Sequence, residues 1–320
     1  MSDELYMQRC LQLAALGLGK TSPNPMVGAV IVHNDEIIGE GYHHQCGQAH
    51  AEVNAINSVK NMELLKKSTL YVNLEPCSHF GKTPPCADAI IRYGIPKVVI
   101  GSIDYHDKVN GNGVRKLRDA GVEVVENVCK ADCEELNRRF FTFHQQHRPY
   151  IILKWAQTRD GYMDIDRTDS SASTYWITNP ALKVLVHKWR SEEDAILVGY
   201  NTMRNDRPQL TTRDYPGKDP QRFVMQRGTD VIADLPYTPL SEKAEEAVQQ
   251  LYSLKIQSVI IEGGKKTLEK FLEIGLWDEA RILMGSQRWG KGLLAPNIPK
   301  TPEKVVDIDD NQLIYVRRQL

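Results

Sequence analysis

The sequence predicts a two-domain α/β protein, and three observations carry that expectation. The chain has 320 residues, 41% of them hydrophobic and 25% charged, an ordinary globular composition with length for two cores rather than one. Runs such as Thr69 to Leu74, Ala195 to Gly199 and Ser258 to Ile261 alternate with segments of helical apolar spacing, the pattern of strands and helices packed in layers. Between the two series, His144 to Pro149 is polar and ends in Arg148-Pro149 before a new strand pattern at Tyr150. The boundary is therefore expected near residue 147, with domains 1–146 and 147–320.

Element by element, Asp3 is expected to cap a helix whose apolar positions Leu5, Leu11, Leu13 and Leu16 precede the stop at Gly17 and Gly19. Pro23 and Pro25 make the following stretch a loop. Val27 to Val32 and Glu36 to Tyr42, separated by His33-Asn34-Asp35, read as a hairpin. Ala49 to Lys60 reads as helix and Thr69 to Leu74 as a buried strand. A short helix after Cys86 stops at Gly94, and Val98 to Ile100 is strand. Val114 to Ala120 (helix, stopped by Gly121) and Val122 to Val125 (strand) repeat the unit, and Ala131 to His144 is expected as its last helix. The second half gives strands at Tyr150 to Lys154, Ala195 to Gly199, Phe223 to Met225 and Ser258 to Ile261. Its helices are Pro180 to Arg190, Ser241 to Leu254 and Thr267 to Ile274; Arg288 to Leu320 yields no assignment.

Charge narrows the function classes. The chain holds 40 Lys+Arg against 41 Asp+Glu, and residues 1–146 hold 15 against 17. A surface built for a polyanion is basic, so a nucleic-acid-editing enzyme is disfavoured and no nucleic-acid partner is expected. No apolar run approaches the ~18 residues of a membrane span, and MSDELYMQRC lacks the basic-then-apolar start of a signal peptide. A cytoplasmic protein with no membrane partner is expected. In a reducing compartment the six cysteines are free, metal-bound or catalytic rather than a disulfide framework. All six lie between Cys10 and Cys133, and seven of the nine histidines precede residue 147. The metal chemistry is thus expected in the first half.

There His50-Ala51-Glu52 opens a helix, Pro76-Cys77 follows a strand, and Cys86 opens another helix. One imidazole and two thiolates suit Zn²⁺ and leave its fourth tetrahedral position open, which is the mark of a catalytic rather than a structural site. Glu52, two residues from His50, is placed to shuttle protons, and the dipole at a helix start favours a Cys86 thiolate. Each fragment alone is weak, since HxE is a common surface tripeptide and paired cysteines pack as small apolar filler. Together they match the HxE, Pro-Cys, Cys signature of zinc nucleobase deaminases, except that Cys77 and Cys86 enclose eight residues rather than two. The open site also argues against a structural zinc module joined to a nucleotide-binding domain.

The inserted loop narrows this further. Glu75-Pro76-Cys77-Ser78-His79-Phe80-Gly81-Lys82-Thr83-Pro84-Pro85-Cys86, with Ser22-Pro23-Asn24-Pro25-Met26-Val27-Gly28-Ala29 and Gly41-Tyr42-His43, resembles the deaminase half of the bifunctional riboflavin biosynthesis deaminase-reductases. The resemblance implies a cytidine-deaminase-like α/β sandwich that removes the exocyclic amine of a phosphoribosylated diaminopyrimidinone. It places Asn24, His43, His79 and Lys82 near the substrate. Asn24 can pair with a pyrimidine edge and Lys82 can meet a phosphate as a point charge. Asp104 and Asn110-Gly111-Asn112-Gly113 fall where the family's substrate-facing loop lies, though they read equally well as a turn.

The second half resembles the reductase half of the same family through Lys154-Trp155-Ala156-Gln157-Thr158-Arg159-Asp160-Gly161, Trp176-Ile177-Thr178, Arg190, Asp194 to Gly199, Thr202, Asp206, Pro208, Leu210, Arg213 and Glu262-Gly263-Gly264. That implies a dihydrofolate-reductase-like fold with NADPH as hydride donor and reduction of a ribosyl group to ribityl. It implies that Thr174, Arg190, Leu210, Arg213 and Glu262 face the substrate, and that Ala156, Trp176, Thr202, Asp206 and Gly264 face the cofactor. From the residues themselves, Arg190 and Arg213 suit a phosphate because guanidinium binds oxyanions bidentately. Gly263-Gly264 permits close backbone approach at a helix start. Lys154 and Asp206 are the candidates to orient the ribose and assist protonation as hydride reaches C1′. The segment Gly161 to Trp176 is long and polar, and Gln226-Arg227 stands where an acidic residue is expected, which leaves the cofactor 2′-phosphate contact open. The expected partners are small phosphoribosyl pyrimidines, and the expected assembly is a homo-oligomer, a dimer or tetramer.

Overall fold

Asn34 and Asp35 take φ of 49° and 65°, the left-handed pair that a two-residue hairpin turn requires. The strands they join, β1 (Gly28–His33) and β2 (Glu36–Tyr42), are the antiparallel side of a five-stranded sheet ordered β2-β1-β3-β4-β5. β3 (Thr69–Leu74) is antiparallel to β1, while β4 (Lys97–Ser102) and β5 (Glu123–Val125) continue parallel to β3. The computed structural model describes residues 2–80, 84–104, 111–165, 176–226 and 236–318. The chain divides into two compact units, Met1–His147 and Arg148–Leu320.

Alternation along the strands of the first unit fills both faces of the sheet. Ala29, Ile31, Leu70, Val72, Val98 and Ile100 pack with Ala55 and Ile56 of α2 (Ala51–Ser58), Ile90 of α3 (Cys86–Tyr93) and Leu117 of α4 (Asn112–Asp119). On the other face Val30, Val32, Tyr71 and Val99 pack with Tyr6, Met7 and Cys10 of α1 (Asp3–Ala15) and with Cys133 of α5 (Lys130–Leu136).

The first unit departs from the sequence pattern in three places. Ser2, not Asp3, is the N-cap residue of α1; Asp3 lies in the first turn and accepts a 2.7 Å hydrogen bond from the Tyr71 hydroxyl. The buried stripe of α1 is Tyr6, Met7, Cys10, Leu13 and Ala14, at helical spacing, and Leu5 and Leu16 are exposed. The helix expected over Ala131 to His144 is two, α5 and α6 (Arg138–Gln146), broken at Asn137. The cause is tertiary: Asn137 Oδ1 accepts from Met26 N (2.8 Å) while Nδ2 donates to Met26 O (2.9 Å). Asn73 grips the same strand start, accepting from Gly28 N and donating to Met26 O. Two buried amides thus fix the chain just beyond Asn24.

The second unit holds an eight-stranded sheet ordered β10-β9-β8-β11-β6-β12-β15-β14. Its members are β6 (Tyr150–Gln157), β8 (Ala195–Gly199), β9 (Gln221–Met225), β10 (Thr238–Leu240), β11 (Ser258–Ile261), β12 (Glu279–Met284), β14 (Lys304–Ile308) and β15 (Asn311–Arg317). β15 runs antiparallel to β12 and β14, and the other neighbours are parallel. β7 (Tyr162–Asp164) and β13 (Leu293–Leu294) form a separate two-stranded ribbon. One face of the large sheet packs Ile151, Leu153, Ala195 and Leu197 on α9 (Ala244–Ser253) and α10 (Lys265–Glu273). The other packs Tyr150, Ile152, Ile196 and Val198 on α7 (Pro180–Glu192). Lys154 and Ala156 follow Tyr150 and Ile152 at period two and so share the α7 face. The helix α8 (Tyr200–Asp206) and the hairpin β14-β15 were not expected from the sequence. Ile308 pairs with Asn311 across a two-residue Asp309-Asp310 turn, a signal that the half-exposed strands around it obscure.

Candidate active site

In the first unit, His50 is the N-cap residue of α2, Cys77 follows β3, and Cys86 is the first residue of α3. Their ligand atoms lie within 4.8 Å of one another. His50 Nδ1 stands 3.5 Å from Cys77 Sγ and 3.3 Å from Cys86 Sγ. Two such edges suit a tetrahedral ion, since Zn–S near 2.3 Å and Zn–N near 2.0 Å place N and S about 3.5 Å apart. The donor set and its spacing fit a metal ion of the zinc type. The Cys86 backbone N–H also points at Cys77 Sγ, at 3.3 Å. The Cys86 thiol, His50 and that amide hold Cys77 down to about 4 against the effect of burial, and Cys86 is pushed up in turn by its bond to Cys77 and by burial. The pair therefore keeps one thiolate ready for a cation.

Glu52 is 3% exposed in the first turn of α2. Burial pushes its carboxyl up to about 7, the Cys77 charge adds to this, and His50 opposes it. A carboxyl balanced there can both take and give a proton near neutral pH.

Asn24 and His43 come together beside the triad. His43 is buried, with its ring edge-on to His50 at 5.3 Å between centroids. Its Nδ1 lies 3.1 Å from Ala49 O, which can only accept, so Nδ1 carries the proton. Nε2 then accepts from Asn24 Nδ2 at 3.0 Å. Burial lowers the His43 pKa, consistent with this neutral tautomer. His79 is exposed in the loop after Cys77, and Lys82 and Asn110 lie outside the described residues.

In the second unit, Lys154 on β6, Arg190 on α7 and Glu262, just after β11, meet in a buried cluster. Arg190 Nε and Nη2 donate to Glu262 Oε1 and Oε2 at 2.9 and 2.8 Å, and Lys154 Nζ donates to Oε2 at 3.3 Å. Burial alone would raise the Glu262 pKa; Arg190 and Lys154 outweigh it and hold the group at about 2. Burial lowers the Lys154 pKa despite Glu262. Arg190 Nη1 donates to Thr211 O at 3.1 Å. The bidentate edge expected to meet a phosphate is thus taken by Glu262, while Arg213, two residues on from Thr211, is exposed. Leu210 is buried with φ 54°, turning that loop.

Thr202 and Gly264 also come together: Gly264 N donates to Thr202 Oγ1 at 3.1 Å at the start of α10. Trp176 is 59% exposed, Lys183 Nζ lies 5.2 Å from its ring centre, and its carbonyl accepts from Gln287 Nε2 at 3.4 Å. Asp206 ends α8, exposed, and the carboxylate that faces Lys154 is Glu262. Thr174 and Arg227 lie outside the described residues. The resemblance assigned Lys154, Arg190 and Glu262 to one site, but their ion pairing to one another was not foreseen, because the three are 36 to 108 residues apart in sequence with no local spacing to betray it.

Residues 1–102 match the cytidine and deoxycytidylate deaminase zinc-binding region, and residues 149–297 match the RibD C-terminal domain. Fold and matches together define a bifunctional deaminase-reductase, with a cytidine-deaminase-like domain followed by a dihydrofolate-reductase-like one. The chain is 37% identical to the riboflavin biosynthesis protein RibD of Aquifex aeolicus, over 99% of this chain and 98% of that protein. It superposes with a TM-score of 0.85 and 36% identity, over 98% of both chains, on the diaminohydroxyphosphoribosylaminopyrimidine deaminase/5-amino-6-(5-phosphoribosylamino)uracil reductase of Thermotoga maritima. With RibD of Acinetobacter baumannii the TM-score is 0.88 at 30% identity, over 99% of both chains. The chain belongs to the RibD family of riboflavin biosynthesis proteins. Among the described residues no helix is long and apolar enough to cross a membrane.

Proposed function

We propose that the chain performs two consecutive steps of riboflavin biosynthesis. The first unit deaminates 2,5-diamino-6-(5-phosphoribosylamino)pyrimidin-4-one with water, and the second reduces the ribosyl group to ribityl with NADPH, giving 5-amino-6-(5-phosphoribitylamino)uracil. The observation that carries the reading is the His50–Cys77–Cys86 triad with Glu52 buried beside it, in a chain that matches RibD over nearly its whole length.

Held by His50, Cys77 and Cys86, zinc supplies Lewis-acid activation of water at neutral pH. Glu52 takes a proton from the attacking water and delivers it to the departing amine, so that ammonia leaves and a carbonyl replaces the C–NH₂ group. Asn24, oriented by neutral His43, holds the pyrimidine edge, His79 serves the same substrate, and Lys82 is the residue assigned to the ribosyl phosphate. In the second unit NADPH supplies the hydride to C1′. Lys154 stands as the proton donor to the oxygen released as the ribose opens, with Asp206 helping to orient the sugar. Glu262, itself gripped by Arg190, holds the Lys154 ammonium in place; Arg190, Glu262 and Leu210 line the substrate side, Thr174 is assigned to the same substrate, and Arg213 takes the phosphate. Ala156, Trp176, Thr202, Asp206 and Gly264 line the cofactor side.

The test supplies the diaminopyrimidinone with NADPH and follows ammonia release and nicotinamide absorbance together. The reading expects ammonia with or without NADPH, and NADPH oxidation only after ammonia has appeared. Oxidation that precedes or lacks ammonia release would overturn it.

A further inference from the structure

Glu75 sits two residues before Cys77 and is 4% exposed, yet nothing in the chemistry above uses it. Its carboxylate accepts four backbone N–H groups. Oε2 takes Asp104 N at 3.3 Å and Gly111 N at 3.0 Å; Oε1 takes Gly113 N at 2.8 Å and Val114 N at 3.2 Å. Gly113 and Val114 are in the first turn of α4, where N–H groups have no partner within the helix and a negative charge is favoured. Asp104 lies just past the end of β4. One buried carboxylate therefore ties the end of β4 and the start of α4 to the strand end that carries the metal-site thiolate. The backbone repeats the tie, since Glu75 N donates to Ser102 O at 3.0 Å.

The contact reaches the ligand through Pro76. A Cβ added to Gly113 would lie 2.0 Å from Pro76 O and 3.1 Å from Glu75 Oε1. Glycine at 113 thus lets the first turn of α4 press directly on the peptide that leads into Cys77. Charge-assisted bonds from Glu75 hold that turn in place, and the Pro76–Cys77 backbone is confined between them and α3, whose Ala87 N donates to Cys77 O at 3.1 Å.

We propose that Glu75 is a positioning residue of the metal site: it fixes the Pro76–Cys77 peptide by clamping Asp104 and residues 111–114 against it, and so sets the place of the Cys77 thiolate. The proposal rests on the zinc reading above. Groups that orient metal ligands at one remove typically govern affinity by about 10- to 100-fold. Glu75→Gln leaves a carbonyl oxygen for one pair of N–H donors and turns an NH₂ toward the other pair, so the clamp opens on one side.

The test uses the full-length zinc-loaded protein. Zinc release to a chromogenic chelator is timed for wild type, Glu75→Gln, Glu75→Asp and Gly113→Ala, alongside melting temperature and reduction of the deaminated substrate. Met7→Ala serves as the comparison, because it opens the core on the opposite sheet face and lowers stability without touching the clamp. Release about tenfold faster in Glu75→Gln and Gly113→Ala is expected, with reduction unchanged and Met7→Ala releasing zinc at the wild-type rate. If Glu75→Gln does not fold, Glu75→Asp and Gly113→Ala carry the comparison with the same expectation. Release rates equal to wild type, or changes no larger than those of Met7→Ala at matched melting temperature, would overturn the proposal alone. Wild-type protein that takes up no zinc would remove the zinc reading and the proposal together.

Discussion

Replacing Glu262 by glutamine tests whether the buried cluster of the second unit is held by charge. Arg190 and Lys154 bring Glu262 from its ordinary 4.5 down to about 2, and a difference of ~2.5 units corresponds to about 3.5 kcal/mol of folding stability at ~1.4 kcal/mol per unit. Because the folded value lies below the unfolded one, the contribution is complete at neutral pH and is lost as the pH falls from about 4.5 toward 2. About half should remain near pH 3 by the same linkage. Removing one member of a buried charged set commonly costs ~3–5 kcal/mol. Here the cost is limited at the upper end, because Lys154, whose pKa burial already lowers, can shed its proton once Glu262 is neutral. At ~2–4 °C per kcal/mol for a domain of this size, Glu262→Gln should lower the melting temperature of the reductase unit by about 7–14 °C at pH 7. The assay is calorimetry of both proteins from pH 7 to pH 3. The wild-type advantage should shrink toward acid. A loss below ~1 kcal/mol at pH 7, or an advantage that stays constant to pH 3, would refute the reasoning.

Cys86→Ser should strip or weaken the metal, because a hydroxyl is a poor replacement for thiolate; full metal content with full deamination, measured by elemental analysis and ammonia release, would count against the triad. Asp206→Asn should slow reduction about tenfold or more while ammonia release continues, as expected for loss of a charged hydrogen bond worth ~1.5–3 kcal/mol. Reduction at the wild-type rate would remove Asp206 from the site.

Local chemistry was readable wherever one stretch of chain decides its own structure. Asn34-Asp35 announced the β1-β2 turn, β-branched runs announced β3, β8 and β11, and His50, Cys77 and Cys86 each stand at an element end that pattern alone could place. What escaped the sequence depends on partners distant in the chain. Asn137 breaks a helical pattern because Met26, 111 residues away, takes both ends of its amide. The sequence neighbourhood of Arg190 does not reveal Glu262, 72 residues on, as the partner of its guanidinium in this structure. Glu75 drew no separate notice because its four N–H partners are spread over residues 104–114. The β14-β15 hairpin went unread for a different reason: its strands are half exposed and lack the continuous apolar run of a buried strand.

The central claim is that one chain carries two separable chemistries in fixed order, and Glu52→Gln addresses it most directly. The variant is loaded with zinc and offered either the diaminopyrimidinone or its deaminated product, each with NADPH. The account predicts retained zinc, deamination lowered by ~10² to 10⁴-fold, no NADPH oxidation with the diamino compound, and wild-type oxidation with the deaminated one. Near-normal ammonia release, or loss of reduction with the deaminated compound, would contradict it.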